Sequence, residues 1–367
     1  MHQTINFSRG VPDPASFPVD DMKVMADRAL SKYGDQLLQY GPATGFLPLR
    51  EFIARWFGRQ VPEVMVGNGS LELFGFLCEA CLRPGDVVFV ESPTYDRALT
   101  ILQKHGVEIV GIDVGVDGID LAMFEAALRR HTPKLVYLIP DFQNPTGMCT
   151  PLAARQQIAD WSAQHDFLIV EDGPYGFLRY TGRDIPTMVS LAPDRTVHLS
   201  SFTKLISPGL RVGFMLGNPA IIDAVSRVAE SYYITPGYFS QGVIAEWCNG
   251  GLLDAQLTKL RGLYAPRLAA LLEALDRHLP GRLVGRPEGG FFAAITLDAG
   301  MDEAELLGLA RDAGVILSSG NAFFVHAPSH RFIRLPFCAL PPDVIEEGVR
   351  RLASMVAATQ ARQPSWA

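Results

Sequence analysis

The run Leu199-Ser200-Ser201-Phe202-Thr203-Lys204 ends a short apolar stretch in an amine, with hydroxyls before it and Arg211 a little way beyond. An amine able to form a Schiff base, set beside a hydroxyl and a guanidinium able to hold a phosphate, is chemistry suited to pyridoxal 5'-phosphate. Asp172 closes another apolar run, Leu168-Ile169-Val170-Glu171-Asp172, and a carboxylate there can pair with a protonated pyridine nitrogen. Tyr175, just after it, and Asn144, in Gln143-Asn144-Pro145-Thr146-Gly147, can each bond the phenolic oxygen of such a ring, and Tyr95 can stack on its face. Gly67-Asn68-Gly69-Ser70 precedes a helical pattern from Leu71, so backbone N–H groups around Gly69, Ser70 and Leu71, with Ser70 as N-cap, offer an anion site. Arg334 alternates with apolar residues in Arg331-Phe332-Ile333-Arg334-Leu335, where a charge needs a partner such as a substrate carboxylate. Each residue also has a plainer use as a turn former, N-cap, core tyrosine or structural ion pair, and it is the set that points to a site.

Short apolar runs that could position these groups recur at 64–66, 87–90, 107–112, 135–139, 167–170, 196–199 and 212–216, with helical patterns between most of them, including 71–81, 121–128 and 151–165. Alternating strands and helices predict an α/β domain with a mostly parallel seven-stranded sheet between helices, and ligands beyond the carboxyl ends of its strands. After Asn249-Gly250-Gly251, leucines at 253, 257, 260, 268, 271, 275 and 279, with Tyr264, predict a long amphipathic connector in which Pro266 marks the place for a kink. Strands near 289–297, 315–317 and 332–335 and helices at 302–313 and 342–357 complete a smaller α+β domain. The expected division is an N-terminal segment, 1–35, packing with the small domain and substrate pocket, a large cofactor-binding domain, 36–250, and the connector with the small domain, 251–367.

At 367 residues, with 48% hydrophobic and 19% charged residues, the chain can build a sizeable core, and only its ends look loose. A formal charge of −7 gives no basic field for nucleic acid, and no apolar run reaches membrane-spanning length. The start lacks the pattern of a signal peptide, and five irregularly spaced cysteines suit a reducing compartment, so a cytoplasmic location is expected. Cys78 and Cys81 read as helix core, and no metal site is expected.

Assembled in order, these motifs resemble the fold-type I pyridoxal-phosphate enzymes, specifically class I/II aminotransferases of the 2-aminoadipate and kynurenine aminotransferase branch. The resemblance spans nearly the whole chain, from Gly10-Val11-Pro12-Asp13-Pro14 through Gln39-Tyr40-Gly41-Pro42, the Asn144, Asp172 and Lys204 motifs and Pro287-Glu288-Gly289-Gly290-Phe291 to Arg334-Leu335-Pro336-Phe337. It implies a homodimer that moves an amino group between an α-amino acid and a 2-oxo acid by a ping-pong mechanism. Lys204 would be the catalytic lysine, Asp172 the ring-nitrogen partner, Asn144 and Tyr175 the phenolic-oxygen partners and Tyr95 the stacking ring. Ser70, Ser201 and Arg211 would hold the phosphate, joined by Tyr40 from the other subunit, and Arg334 the substrate α-carboxylate, with Gly10 on the substrate side.

Two positions depart from the branch pattern. Leu71 and Glu72 follow Gly69-Ser70 where relatives often carry two glutamines, so the Glu72 carboxylate should point away from a phosphate. Arg9 stands where a small residue is common and is a candidate for a substrate side-chain carboxylate. The same fold also serves decarboxylases, β-lyases, oxidases and effector-sensing domains, which remain rivals at this level.

Overall fold

The computed structural model describes residues 4–298, 300–326 and 331–361, so the loose ends at 1–3 and 362–367 lie outside the described residues. Its centre is an eight-stranded sheet in the order Val64–Gly67, Gly213–Leu216, Thr196–Ser201, Leu168–Asp172, Pro133–Leu138, Val87–Ser92, Glu108–Gly115 and Gly118–Ile119. The strands from Thr196–Ser201 to Glu108–Gly115 are mutually parallel, whereas Gly213–Leu216 runs antiparallel to both neighbours. Seven of the eight are the apolar runs read from the sequence. The eighth, Gly118–Ile119, folds back on Val114 and Gly115, and two residues are too few to show a period.

Alternate residues of the inner strands enter different cores. Val88, Val90, Leu135, Tyr137 and Val170 pack with Leu73, Phe74 and Leu77 of the helix Ser70–Cys81. Phe89, Val136, Leu138 and Ile169 pack instead with Phe124, Ile158 and Phe167. This period of two, apolar on both faces, is what a parallel sheet between helical layers requires. Because the strands run the same way, Ser92, Asp172 and Ser201 finish on one edge of the sheet.

The helix Leu253–His278 belongs to two cores at once. Leu253, Leu257, Leu260 and Tyr264 join the large cluster, while Leu268, Leu271 and Leu275 join a second one built on the antiparallel pair Phe292–Leu297 and Arg331–Pro336 and the helices Glu303–Asp312 and Pro342–Ala361. Pro266 lies inside this helix without ending it. Ile5 and Asn6 pair in parallel with Val315 and Ile316, and Ile5 and Phe7 are buried in the second core. Among the described residues no helix is long and apolar enough to cross a membrane.

One buried charge fixes the loop that carries Asn144. Arg155, fully buried in the helix Leu152–His165, donates to the carbonyls of Thr150 and Pro140 at 2.8 Å and to both carboxylate oxygens of Asp141 at 2.7 and 3.1 Å. Arg155→Leu would leave Asp141 only a 3.7 Å contact with Arg179. A loss of about 3–5 kcal/mol in denaturant-unfolding stability is expected, whereas an unchanged midpoint would show that the pair is dispensable.

Candidate active site

A cavity of about 560 Å³ lies at the carboxyl edge of the sheet, and Lys204, Asp172, Tyr175, Asn144, Tyr95 and Arg334 all contribute to its wall. So do Gly69, Ser70, Leu71, Ser201, Arg211, Arg9 and Gly10. Of the sequence-derived candidates, Tyr40 alone stands apart. It is 71% exposed, and Leu38, Ile234 and Phe239 are exposed apolar residues as well.

Lys204 follows the strand Thr196–Ser201 on a turn pinned by the buried Phe202, whose N–H donates to Val212 and whose carbonyl accepts from Leu205 and Ile206. Its Nζ donates to the Gly10 carbonyl at 3.2 Å and lies 5.5 and 5.9 Å from the ring centres of Phe291 and Tyr175. Burial lowers the affinity of this amine for its proton, and the cationic Arg211 and Arg334 act in the same direction. A lysine in this environment is primed as a nucleophile and proton carrier.

Asp172 ends its strand with the two carboxylate oxygens in unlike states. Oδ2 accepts from the Tyr137 hydroxyl at 2.6 Å, while Oδ1 is buried with no partner among the described residues. Burial pushes the carboxyl up to about 6, against the opposing effects of Tyr137 and His198. A buried acceptor left unmet is costly unless something arrives to meet it, and a protonated pyridine nitrogen has the right charge and donor.

The anion end of the cavity is built by the helix start and the turn after the lysine. Gly69, with φ 116°, caps the helix Ser70–Cys81, so Ser70 is the first helical residue and not the N-cap expected from its type. The physical reason is the left-handed backbone, which glycine adopts and which the sequence does not display. A side chain at 69 would also meet the Arg211 guanidinium at 2.6 Å, while that guanidinium donates to the Asn68 carbonyl at 3.1 Å. Ser201 Oγ reaches Thr203 Oγ1 at 2.7 Å and the Val212 carbonyl at 3.1 Å. Glu72 turns away as its charge demands, accepting from the Asn68 N–H at 3.0 Å. A helix start with unmet N–H groups, hydroxyls and a guanidinium together suit a phosphate, so these residues fit pyridoxal 5'-phosphate at both its charged ends.

Arg334 lies between two aromatic rings, with Phe292 and Phe323 centres 4.8 and 4.7 Å away. It donates to Asn144 Oδ1 at 2.8 Å and to the Ser8 carbonyl at 3.0 Å, and its buried Nε has no partner among the described residues. Tyr175 is buried edge-on to Phe292, and burial raises its hydroxyl well above the usual tyrosine range. Tyr95 caps the helix Asp96–Lys104, and its hydroxyl is pushed up to about 12, chiefly by burial.

Sequence reasoning missed Tyr137, Thr203, Phe292, Phe323 and Ser318. Tyr137 carried a signal, being the one hydroxyl in the apolar run Leu135-Val136-Tyr137-Leu138-Ile139, but its partner is set by strand pairing.

Comparison with known proteins places these residues in context. The family described as "Aminotransferase class I and II" matches residues 2–352. An aromatic-amino-acid aminotransferase of Thermococcus litoralis is 33% identical, over 96% of this chain and 88% of its own. The α-aminoadipate aminotransferase of Thermus thermophilus, solved with N-(5'-phosphopyridoxyl)-L-leucine, superposes with a TM-score of 0.93 at 31% identity, over 98% of this chain and 93% of its own. The kynurenine aminotransferase of Pyrococcus horikoshii gives 0.94 at 32% identity, over 99% and 93%.

The unlike oxygens of Asp172 have a measurable consequence in cofactor-free protein. With the folded carboxyl at about 6 against an ordinary 3.8, the folded state holds the proton more tightly between these values, so this group lowers stability as pH rises through that window. Asp172→Asn should therefore raise the unfolding temperature at pH 8 by a few degrees, with the gain shrinking toward zero near pH 4. A variant less stable than wild type at pH 8 would contradict this.

Proposed function

The chain belongs to the class I and II aminotransferases, and within that family we propose that Lys204 is its proton carrier, Asp172 its ring-nitrogen partner and Arg334 its anchor for the substrate α-carboxylate. The reaction moves an amino group between an α-amino acid and a 2-oxo acid with pyridoxal 5'-phosphate, in two half-reactions. The observation that carries the assignment is the unpartnered, buried Asp172 Oδ1 in the same cavity as the Lys204 amine.

When bound, pyridoxal 5'-phosphate supplies a carbonyl carbon that takes up the amino group and a ring that accepts the electron pair released at the substrate carbon. Asp172 would keep the ring nitrogen protonated, with Tyr137 holding its other oxygen. Asn144 and Tyr175 would bond the phenolic oxygen, and Tyr95 would cover the ring face. The backbone at Gly69 and Leu71, the Ser70 and Ser201 hydroxyls and Arg211 would hold the phosphate. Lys204, its amine already weakened as a base by burial, would take a proton at the substrate carbon and return it at the cofactor. Gly10 lines the substrate side, where a Cβ would strike the Phe292 ring at 2.4 Å. Lys204→Ala should lower turnover by at least about 10²–10⁴-fold in an assay for the 2-oxo acid product, and undiminished turnover would refute the role.

The same reading includes a homodimer in the cytoplasm. Its support is the exposure of the apolar residues Leu38, Tyr40, Ile234 and Phe239, and five cysteines that are all unpaired. Tyr40 would reach the phosphate of the second copy. The segments 1–35, 36–250 and 251–367 would act as strap, cofactor domain and small domain, which accords with two main cores sharing the connector helix. Mixing Lys204→Ala with Tyr40→Ala subunits tests the dimer directly. Mixed dimers contain one site with a native lysine and a native tyrosine, so activity should reappear at up to roughly a quarter of the wild-type level. Activity no greater than the sum of the two parents would sink the reach of Tyr40 across subunits.

A further inference from the structure

The cavity has a wall that the roles above leave unused. Ile5 and Asn6 run parallel to Val315 and Ile316, with Ile5 facing Val315 and Asn6 facing Ile316, and the Phe7 N–H continues the ladder to the Ile316 carbonyl at 2.8 Å. Beyond the pairing both chains line the cavity, one with Ser8 and Arg9, the other with Ser318 and Ser319. The ribbon thus brings a guanidinium and hydroxyls from distant parts of the sequence to one cavity.

Their hydrogen-bonding states differ. Ser8 Oγ is occupied by Asn6 Oδ1 at 2.6 Å, and Ser319 Oγ accepts from the Asn321 N–H at 3.1 Å. Ser318 Oγ is buried and has no partner among the described residues. Arg97, elsewhere on the cavity wall, has Asp96 at 3.7 Å, whereas the Arg9 side chain has no ion pair or hydrogen bond among the described residues. Arg334, the proposed α-carboxylate anchor, is seated on the Ser8 carbonyl, which places it against the same ribbon.

We propose that Ser318 and Arg9 form a side-chain subsite that selects amino and 2-oxo acids carrying a second, distal carboxylate. The Ser318 hydroxyl donates to one carboxylate oxygen and the Arg9 guanidinium neutralises the charge, while Arg334 holds the α-carboxylate. A buried hydroxyl left unmet by an apolar side chain turns this wall against such substrates, and discrimination by an unpaired polar group is stronger than by an added methylene. The inference deepens the proposed function and rests on its placement of Arg334 at the α-carboxylate.

The test compares glutamate, glutamine and leucine as donors to the holoenzyme, following conversion of the bound cofactor's absorbance, alongside calorimetric titration with glutarate, which cannot react. Ser318→Ala should lower kcat/KM for glutamate roughly tenfold and weaken glutarate binding by a similar factor, while kcat/KM for leucine rises because the unmet hydroxyl is gone. Arg9→Gln should lower glutamate likewise while sparing glutamine and leucine, and Ser318→Thr, which keeps the hydroxyl, should retain the preference. Equal losses for all three donors, or an unchanged ranking in both variants, would overturn the subsite. Arg334→Lys separates the two levels of inference. A loss of kcat/KM common to all donors upholds the α-carboxylate anchor whatever happens at Ser318, and no loss sinks the anchor and with it the subsite.

Discussion

A carboxylate withdrawn from water with half of its hydrogen-bonding capacity unmet is the constraint around which this molecule is arranged. Asp172 stands at the end of an inner parallel strand, so the backbone on both sides is fixed by paired neighbours. Tyr137, one strand away and fully buried, holds Oδ2 and thereby aims Oδ1. Asp172 lines the cavity, so a donor that enters there can meet the unpartnered oxygen. The cofactor-free fold therefore carries an electrostatic cost at its most important position, and the burial of the surrounding strands offsets it.

The second element is a short stretch of backbone that three side chains hold down. The carbonyls of Ser8, Gly10 and Val11 accept from Arg334, Lys204 and Cys338 in turn, at 3.0, 3.2 and 3.1 Å. Its flanking residue Phe7 is anchored in the second core, and Asp13, just beyond, pairs with Arg267 of the connector helix at 2.6 Å. The cavity is closed on this side only when both cores and the N-terminal segment are assembled. Cavity and architecture share the same donors here, since the amine and the guanidinium that line the cavity also fasten this stretch.

The fold was largely legible because its signals are local. Seven sheet strands are short apolar runs bounded by turn residues, and the connector shows its buried stripe at helical spacing from Leu253 to Leu275. Several residues that line the cavity, Asp172, Ser201 and Lys204 among them, were legible as polar groups at or just after strand ends, which is where a parallel sheet presents them. What the sequence concealed depends on pairing or on backbone angles. Tyr137 meets Asp172 only because adjacent strands fall in register, Ser318 and residue 8 come to one cavity from the ends of a ladder between chain regions far apart, and Gly69 caps the helix through a positive φ. The two-residue strand Gly118–Ile119 is too brief to have a pattern.

The ribbon formed by residues 5–6 and 315–316 belongs to neither the large sheet nor the cofactor-facing strand ends. Just beyond it, residues 8 and 9 on one chain and 318 and 319 on the other line the cavity. If the proposed subsite holds, substrate choice can therefore change by exchange of residues on this edge while the reaction centre stays as it is. For an engineer, the same partition marks positions 9, 318 and 319 as the ground for a combinatorial library, because variation there leaves the buried carboxylate and the lysine in their native surroundings.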